Sequence, residues 1–202
     1  MIKLLLTSTG FVNKNISKVF LKLVNKSASN IKVLFIPIAS RSKEELHYVA
    51  ESRKELISLG IKEDNIFNLE IDNKPDLKEL NKLDVIYVCG GNTFYLLHKL
   101  KETGFYDIIK DLVRKNKIYV GVSAGSIVVG PDIKIASIGD KNDIKLKNFM
   151  GLCLTKTIVS PHFCNKERGA IEKFRKTTNF RVVPLNDMQA LLVLGDKERV
   201  IK

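Results

Sequence analysis

The 202-residue chain lacks any long apolar segment, and it contains no tryptophan, only three cysteines, five prolines and 12 glycines. A transmembrane helix needs about 20 apolar residues in succession, and the N-terminal apolar run at 2–6 is too short even for a signal peptide. The low glycine and proline content excludes collagen-like and low-complexity chains. We therefore expect one soluble, cytoplasmic domain over residues 1–202, large enough to bury a core.

The cysteines and other potential metal ligands do not form a recognisable pattern. The three cysteines are Cys89, Cys153 and Cys164, and no two of them form a C-x-x-C pair. Their spacing fits neither a zinc site nor a disulfide framework. We interpret all three as small buried apolar residues. Because no group of histidine, cysteine and carboxylate residues has ligand spacing, we expect no metal and no cofactor.

The chain has few acidic residues relative to basic ones: it contains 34 Lys and Arg and 22 Asp and Glu, which gives a net charge of +12. Such a charge attracts phosphate groups, but the basic residues are scattered along the chain and form no block of five or more. We therefore expect no nucleic-acid partner and no membrane partner. The chain is predicted to be a monomer or a homodimer.

Short apolar runs rich in β-branched residues alternate with helical patterns along the chain. A capping box of Ser42 and Glu45 opens one helix, and Gly104 separates two others that follow Thr93. This alternation predicts an α/β fold with a parallel sheet covered on both sides, where ligands bind beyond the carboxyl ends of the strands. The predicted strands are 2–6, 32–36, 66–69, 85–88 and 119–122.

The sequence Gly121-Val122-Ser123-Ala124-Gly125 follows the last of these strands and forms a G-x-S-x-G pattern. A nucleophile on a sharp strand-to-helix turn has a strained backbone, which requires small neighbours. The turn also directs free N–H groups of the following helix at the site. Ser123 is therefore a candidate nucleophile, and the alternative is a plain tight connection between strand and helix.

A nucleophilic serine needs a base, and three histidines are available. His47 and His98 fall within predicted helices and are interpreted as ordinary helix residues. His162 follows the apolar run 157–159, in a loop at a strand end, and is the preferred base. Asp187 lies in a turn between the apolar runs 182–185 and 191–194, where it can orient the histidine or simply stabilise the turn. The order Ser, His, Asp differs from that of the α/β-hydrolases.

Two backbone N–H groups near the nucleophile would form an oxyanion hole. Ala124 can supply one, and the glycine-rich loop Cys89-Gly90-Gly91-Asn92-Thr93 can supply the other. This loop lacks the Lys-Ser/Thr pair of a P-loop and the third glycine of the dinucleotide fingerprint, so phosphate binding is the weaker interpretation.

The combination of Gly90–Phe94, Gly121–Ser126 and Pro161–Phe163 resembles peptidase family S51, which includes α-aspartyl dipeptidase (dipeptidase E) and cyanophycinase. The resemblance runs from the first predicted strand to the Asp187 turn. It implies a three-layer, parallel-sheet sandwich similar to the class I glutamine amidotransferases, which are flavodoxin-like. It also implies a serine peptidase that hydrolyses small peptides.

The resemblance implies a role for each matching residue. Ser123 matches the nucleophile and His162 the general base, while Gly91 and Ala124 match the oxyanion donors. Asp187 falls where dipeptidase E has a glutamate as the acidic third member of the triad.

Substrate recognition is implied by the resemblance more loosely. Asn92 is expected at the substrate site, and Lys166 and Arg168 are candidates for binding the side chain of an N-terminal aspartate. Both basic residues can equally be solvated residues in the first turn of a helix. Two alternatives stay open, namely another serine-dependent esterase or amidase on the same scaffold, and a binding protein with a vestigial site.

Overall fold

The computed structural model describes residues 1–69 and 77–202, and within these ranges the chain forms nine strands. They are β1 (Lys3–Thr7), β2 (Val33–Ile36), β3 (Ile66–Asn68), β4 (Val85–Val88), β5 (Ile118–Val122), β6 (Thr157–Ser160), β7 (Arg181–Pro184), β8 (Ala190–Leu194) and β9 (Lys197–Ile201). Seven of them form the main sheet in the order β3-β2-β4-β5-β1-β8-β9, whereas β6 and β7 form a separate parallel pair.

The main sheet is mostly parallel, as predicted, but its last two strands make it a mixed sheet. The five strands from β3 to β1 run parallel to their neighbours, but β8 is antiparallel to β1 and β9 is antiparallel to β8. A parallel connection needs a crossover of a dozen or more residues, and the chain has none between β8 and β9. Instead, Gly195, with φ of 57°, allows the tight turn that joins them.

Seven α-helices occur in the described ranges and cover both faces of the main sheet. Ile16, Phe20 and Leu56 pack with Leu5 in one apolar cluster, and the opposite cluster contains Leu4 and Leu6 of the same strand. The helices are α1 (Lys14–Val24), α2 (Lys43–Ser58), α3 (Leu77–Asn81), α4 (Thr93–Glu102), α5 (Phe105–Arg114), α6 (Ala124–Ile127) and α7 (Arg168–Arg175). The three-layer arrangement follows from strands that are apolar on both faces.

Local signals in the sequence set the helix ends. The Ser42 side chain accepts a hydrogen bond from the backbone N–H of Glu45, whose carboxylate accepts one from the Ser42 N–H, so the predicted capping box opens α2. The Asn92 side chain caps α4 by accepting from the Tyr95 N–H. Gly104, at φ of 79°, separates α4 from α5 as predicted.

One of the three cysteines is buried as predicted, and the other two are not. Cys89 is buried at the end of β4, and burial raises the pKa of its thiol. Cys153 and Cys164 are exposed, so the prediction of buried cysteines is wrong for these two. Within the ranges that the structure describes, no group of three His, Cys, Asp or Glu residues could hold a metal ion, and no helix has the length and apolarity needed to cross a membrane.

Candidate active site

The strand-to-helix turn at Ser123 has the strained conformation that the sequence predicts. Ser123 has φ of 49° and ψ of −110°, between β5 and α6, and its N–H donates to the Thr7 carbonyl. The flanking glycines are sterically required. A Cβ on Gly121 would lie 2.4 Å from the Gly125 carbonyl oxygen, and a Cβ on Gly125 would lie 2.2 Å from the Val88 carbonyl oxygen. The turn therefore packs directly against the end of β4.

The structure brings Ser123, His162 and Asp187 together in one continuous line. The Nε2 atom of His162 lies 2.9 Å from the Ser123 Oγ, and its Nδ1 atom lies 2.8 Å from the Asp187 Oδ1. A carboxylate accepts only from a protonated Nδ1, so this pairing leaves Nε2 free to accept the serine hydroxyl proton. A nucleophile, a base and an orienting acid would need this geometry, and the catalytic roles of the three residues stay predictions. His47 and His98 lie on α2 and α4, as predicted.

The small β6–β7 sheet places the histidine beside the aspartate. The Leu185 N–H donates to the Ser160 carbonyl, and the Phe163 N–H donates to the Leu185 carbonyl, so the segments after β6 and β7 stay paired. His162 lies between these bonds in the left-handed region, with φ of 57°. Asp187 occupies the turn before β8, as the sequence predicts.

Ser8 is a site residue that the sequence analysis missed. Its hydroxyl donates to the Asp187 Oδ1 at 2.9 Å and accepts the backbone N–H of His162 at 2.7 Å. The position of Ser8 directly after a predicted strand is the feature that could have identified it. The parallel pairing of Thr7 with Val122 places the ends of β1 and β5 at one edge of the sheet, so Ser8 lies near Ser123. The loops after β4 and β5 end at the same edge and carry recognisable motifs, whereas the segment after β1 carries none.

The Gly90–Gly91 loop passes close to the nucleophile. A Cβ on Gly90 would lie 3.2 Å from the Ser123 Cβ, and Gly91 has φ of 126°. A Cβ on Gly91 would lie 2.4 Å from the Ala39 backbone, so only glycine fits there. Ala124, the other predicted oxyanion donor, is the first residue of α6, where backbone N–H groups lack acceptors within the helix. The oxyanion roles of Gly91 and Ala124 stay predictions.

The predicted substrate-binding residues lie in different environments. Asn92 is buried, and besides capping α4 its amide group donates to the Lys141 carbonyl. Lys166 and Arg168 are exposed near the start of α7, and the Arg168 guanidinium bonds the Asn165 side chain. None of these three predicted residues is among the described residues that line the cavity beside Ser123. Their roles in binding stay predictions.

A cavity of about 570 Å³ opens on Ser123 and His162. One wall is the inner face of α2, which contributes the apolar residue Val49 and the carboxylates Glu45, Glu51 and Glu55, without lysine or arginine among the described lining residues. Its volume is in the range of small-molecule sites. Because its described lining includes three glutamates and no lysine or arginine, the cavity is acidic, although the chain carries a net charge of +12.

The three carboxylates differ in their partners. Glu51 pairs with Lys54, and hydrogen bonds from the N–H groups of Arg41 and Ser42 overcome the effect of burial and lower the pKa of Glu45. Burial raises the pKa of Glu55, and the nearby Glu51 adds to this, although the Phe11 N–H donates to the Glu55 carboxylate.

The model of peptidase family S51 matches residues 4–201 of the chain. The chain belongs to peptidase family S51. It is accordingly a serine-type peptidase, as the resemblance implied.

Relatives in the S51 family support this assignment. The chain is 32% identical over 177 residues to the uncharacterized peptidase Lmo0363 of Listeria monocytogenes, covering 84% of this chain and 85% of the relative. It is 34% identical over 179 residues to a protein of Drosophila melanogaster named probable alpha-aspartyl dipeptidase, covering 86% and 69% of the two chains. A crystal structure of a protein described as peptidase E from Listeria monocytogenes EGD-e superposes with a TM-score of 0.82 at 29% identity, covering 100% of this chain and 98% of the other.

Proposed function

We propose that the chain hydrolyses small peptides with Ser123 as nucleophile, His162 as general base and Asp187 as the orienting acid. The observation that carries this proposal is the unbroken pair of hydrogen bonds from Ser123 through His162 to Asp187. The strained elbow at Ser123 and the membership in family S51 support it.

The proposed reaction uses this geometry. His162 Nε2 takes the hydroxyl proton as the Ser123 Oγ attacks the scissile carbonyl carbon, and the N–H groups of Gly91 and Ala124 stabilise the resulting oxyanion. The C–N bond then breaks, and the proton on Nε2 goes to the leaving amine. Water, activated by His162, hydrolyses the acyl-enzyme and releases Ser123. Asp187 holds the imidazole in position and stabilises its cationic form.

We also propose that the fold is of the class I glutamine amidotransferase type, a flavodoxin-like sandwich. Helices on both faces of the parallel strands support this, as does the position of Ser123 at the carboxyl end of β5, a central strand. The antiparallel β8 and β9 extend the sheet at one edge.

The cavity supports a substrate that brings a positive charge near the nucleophile. Glu51 is already paired with Lys54, but Glu45 and Glu55 leave negative charge on this wall, which attracts an ammonium group and repels the side chain of an N-terminal aspartate. A free peptide N-terminus or a lysyl side chain meets this requirement. N-terminal aspartate is the second candidate, favoured by the name of the Drosophila relative, and Lys166 or Arg168 would then bind its carboxylate.

A dipeptide panel tests the proposal. The wild type and Ser123→Ala are assayed on dipeptides with N-terminal Asp, Glu, Asn, Ala or Lys, and on a small carboxylic ester. We expect turnover by the wild type, at least a thousandfold loss in Ser123→Ala, and higher kcat/KM for Lys and Ala than for Asp. Turnover confined to Asp would establish the second candidate. Activity on esters alone would indicate an esterase, and inactivity of the folded wild type on every substrate would favour a binding protein.

A further inference from the structure

Ser8 lies at the junction of the three segments that carry the candidate triad. Its N–H donates to the Gln189 carbonyl beyond the Asp187 turn, while the preceding residue, Thr7, accepts from the N–H of Ser123. Strand pairing holds β1 between β5 and β8, so the position of Ser8 is set by the sheet. A side chain at this point is in place before substrate binds.

The Ser8 hydroxyl donates one hydrogen bond to the candidate acid and accepts one from the candidate base. A hydroxyl has one proton to donate, which goes to the Asp187 Oδ1, and it accepts the His162 N–H in return. The His162 Nδ1 lies farther from the Ser8 Oγ, at 3.4 Å, than from the Asp187 Oδ1, at 2.8 Å. The imidazole proton therefore goes to Asp187, and the same carboxylate oxygen receives both donors.

Burial distinguishes Ser8 from the residues it contacts. Ser8 is fully buried, whereas the side chains of His162 and Asp187 are 48% and 60% exposed. Water competes for an exposed ion pair, and such a pair alone holds its geometry weakly. His162 also has a positive φ, a strained conformation that needs support from its surroundings. The bond from its N–H to the buried Ser8 hydroxyl provides that support.

We propose that Ser8 is a positioning residue, which fixes the backbone of His162 and the carboxylate of Asp187 so that the imidazole faces Ser123. The inference rests on the proposed roles of Ser123, His162 and Asp187. The rigidity of the exposed His–Asp pair then depends on a single buried hydroxyl directly after β1.

Ser8→Ala tests this inference, with Thr7→Val as the matched control. Thr7 is also fully buried, and its hydroxyl donates to the Gly121 carbonyl and accepts the Gly10 N–H, so the control loses an equivalent pair of bonds at the neighbouring position. We expect kcat to fall about tenfold to a hundredfold in Ser8→Ala, with little change in KM. The acid limb of the kcat/KM profile should move to lower pH, because a displaced carboxylate stabilises the imidazolium less. Thr7→Val should melt at a lower temperature and keep the wild-type pH profile.

Proton NMR gives a readout that does not depend on turnover. The imidazole Nδ1 proton of His162, assigned by its loss in His162→Gln, should be visible at low field in the wild type and in Thr7→Val, and should broaden or disappear in Ser8→Ala. If Ser8→Ala does not fold, Ser8→Cys replaces it, since a thiol keeps the shape but is a weak donor.

The outcomes separate this inference from the proposed function. Full activity in Ser123→Ala would overturn the proposed function. An inactive Ser123→Ala combined with a Ser8→Ala variant that keeps the wild-type kcat, pH profile and low-field resonance would overturn only the role of Ser8.

Discussion

Replacing Ser123 by glycine should stabilise the protein relative to replacing it by alanine. Its φ of 49° and ψ of −110° lie close to the conformation of the first central residue in a type II′ turn, which glycine adopts freely and L side chains do not. Both substitutions remove the Oγ and its bond to His162, so that loss cancels in the comparison. The difference that is left comes from the backbone.

The magnitude follows from two opposing effects. A non-glycine residue in such a region costs about 1–3 kcal/mol. Glycine gives the unfolded chain extra freedom, which offsets about 0.4–1 kcal/mol of the gain. The free energy of unfolding should therefore be about 1 kcal/mol higher for Ser123→Gly than for Ser123→Ala. In a chain of 202 residues this corresponds to a melting temperature about 2–4 °C higher.

Differential scanning calorimetry of the two variants measures this difference. Ser17, inside α1, provides the matched control, because there the order should reverse and Ser17→Gly should be about 1 kcal/mol less stable than Ser17→Ala. If glycine is the less stable substitution at both positions, the elbow stores no strain and the steric argument for Ser123 is wrong.

Three further predictions concern the residues around the nucleophile. Asp187→Asn should lower kcat about a hundredfold or more in steady-state assays, because an amide can hold the wrong imidazole tautomer; an unchanged kcat would remove Asp187 from the triad. Gly91→Ala should lose more than about 2 kcal/mol of stability together with activity, whereas Gly104→Ala, at a positive φ with open space around it, should lose stability alone. Burial raises the pKa of Glu55, so the folded state binds the proton of this carboxyl group more tightly than the unfolded state does. The free energy of unfolding therefore falls as the pH rises and the buried carboxyl group loses its proton. Thermal melts should therefore show Glu55→Gln more stable than the wild type at pH 7, with the gap closing below the ordinary pKa of glutamate.

Features fixed by local interactions could be predicted from the sequence. The capping box at Ser42, the break at Gly104 and the elbow at Ser123 each depend on residues within a few positions of one another. The strand at Val85–Val88 was predicted at its observed ends because four consecutive apolar residues mark a strand buried on both faces.

Features that depend on pairing between distant segments could not be predicted. Strand β9 was missed because Lys197, Glu198 and Arg199 hide the period of two that marks a strand. The antiparallel direction of β8 and the separate β6–β7 sheet depend on strand partners that periodicity does not identify. Ser8 has no motif around it, and only its place beside Ser123 in the folded sheet shows its relation to His162.

Covalent labelling tests the central claim most directly. The wild type, Ser123→Ala and His162→Gln are treated with diisopropyl fluorophosphate, and the adduct is measured by intact mass and located by peptide mapping. If His162 activates Ser123, the wild type gains one adduct on the peptide that contains Ser123, Ser123→Ala gains none, and His162→Gln reacts far more slowly. An adduct on a different residue, or equal labelling rates in the wild type and His162→Gln, would contradict the account.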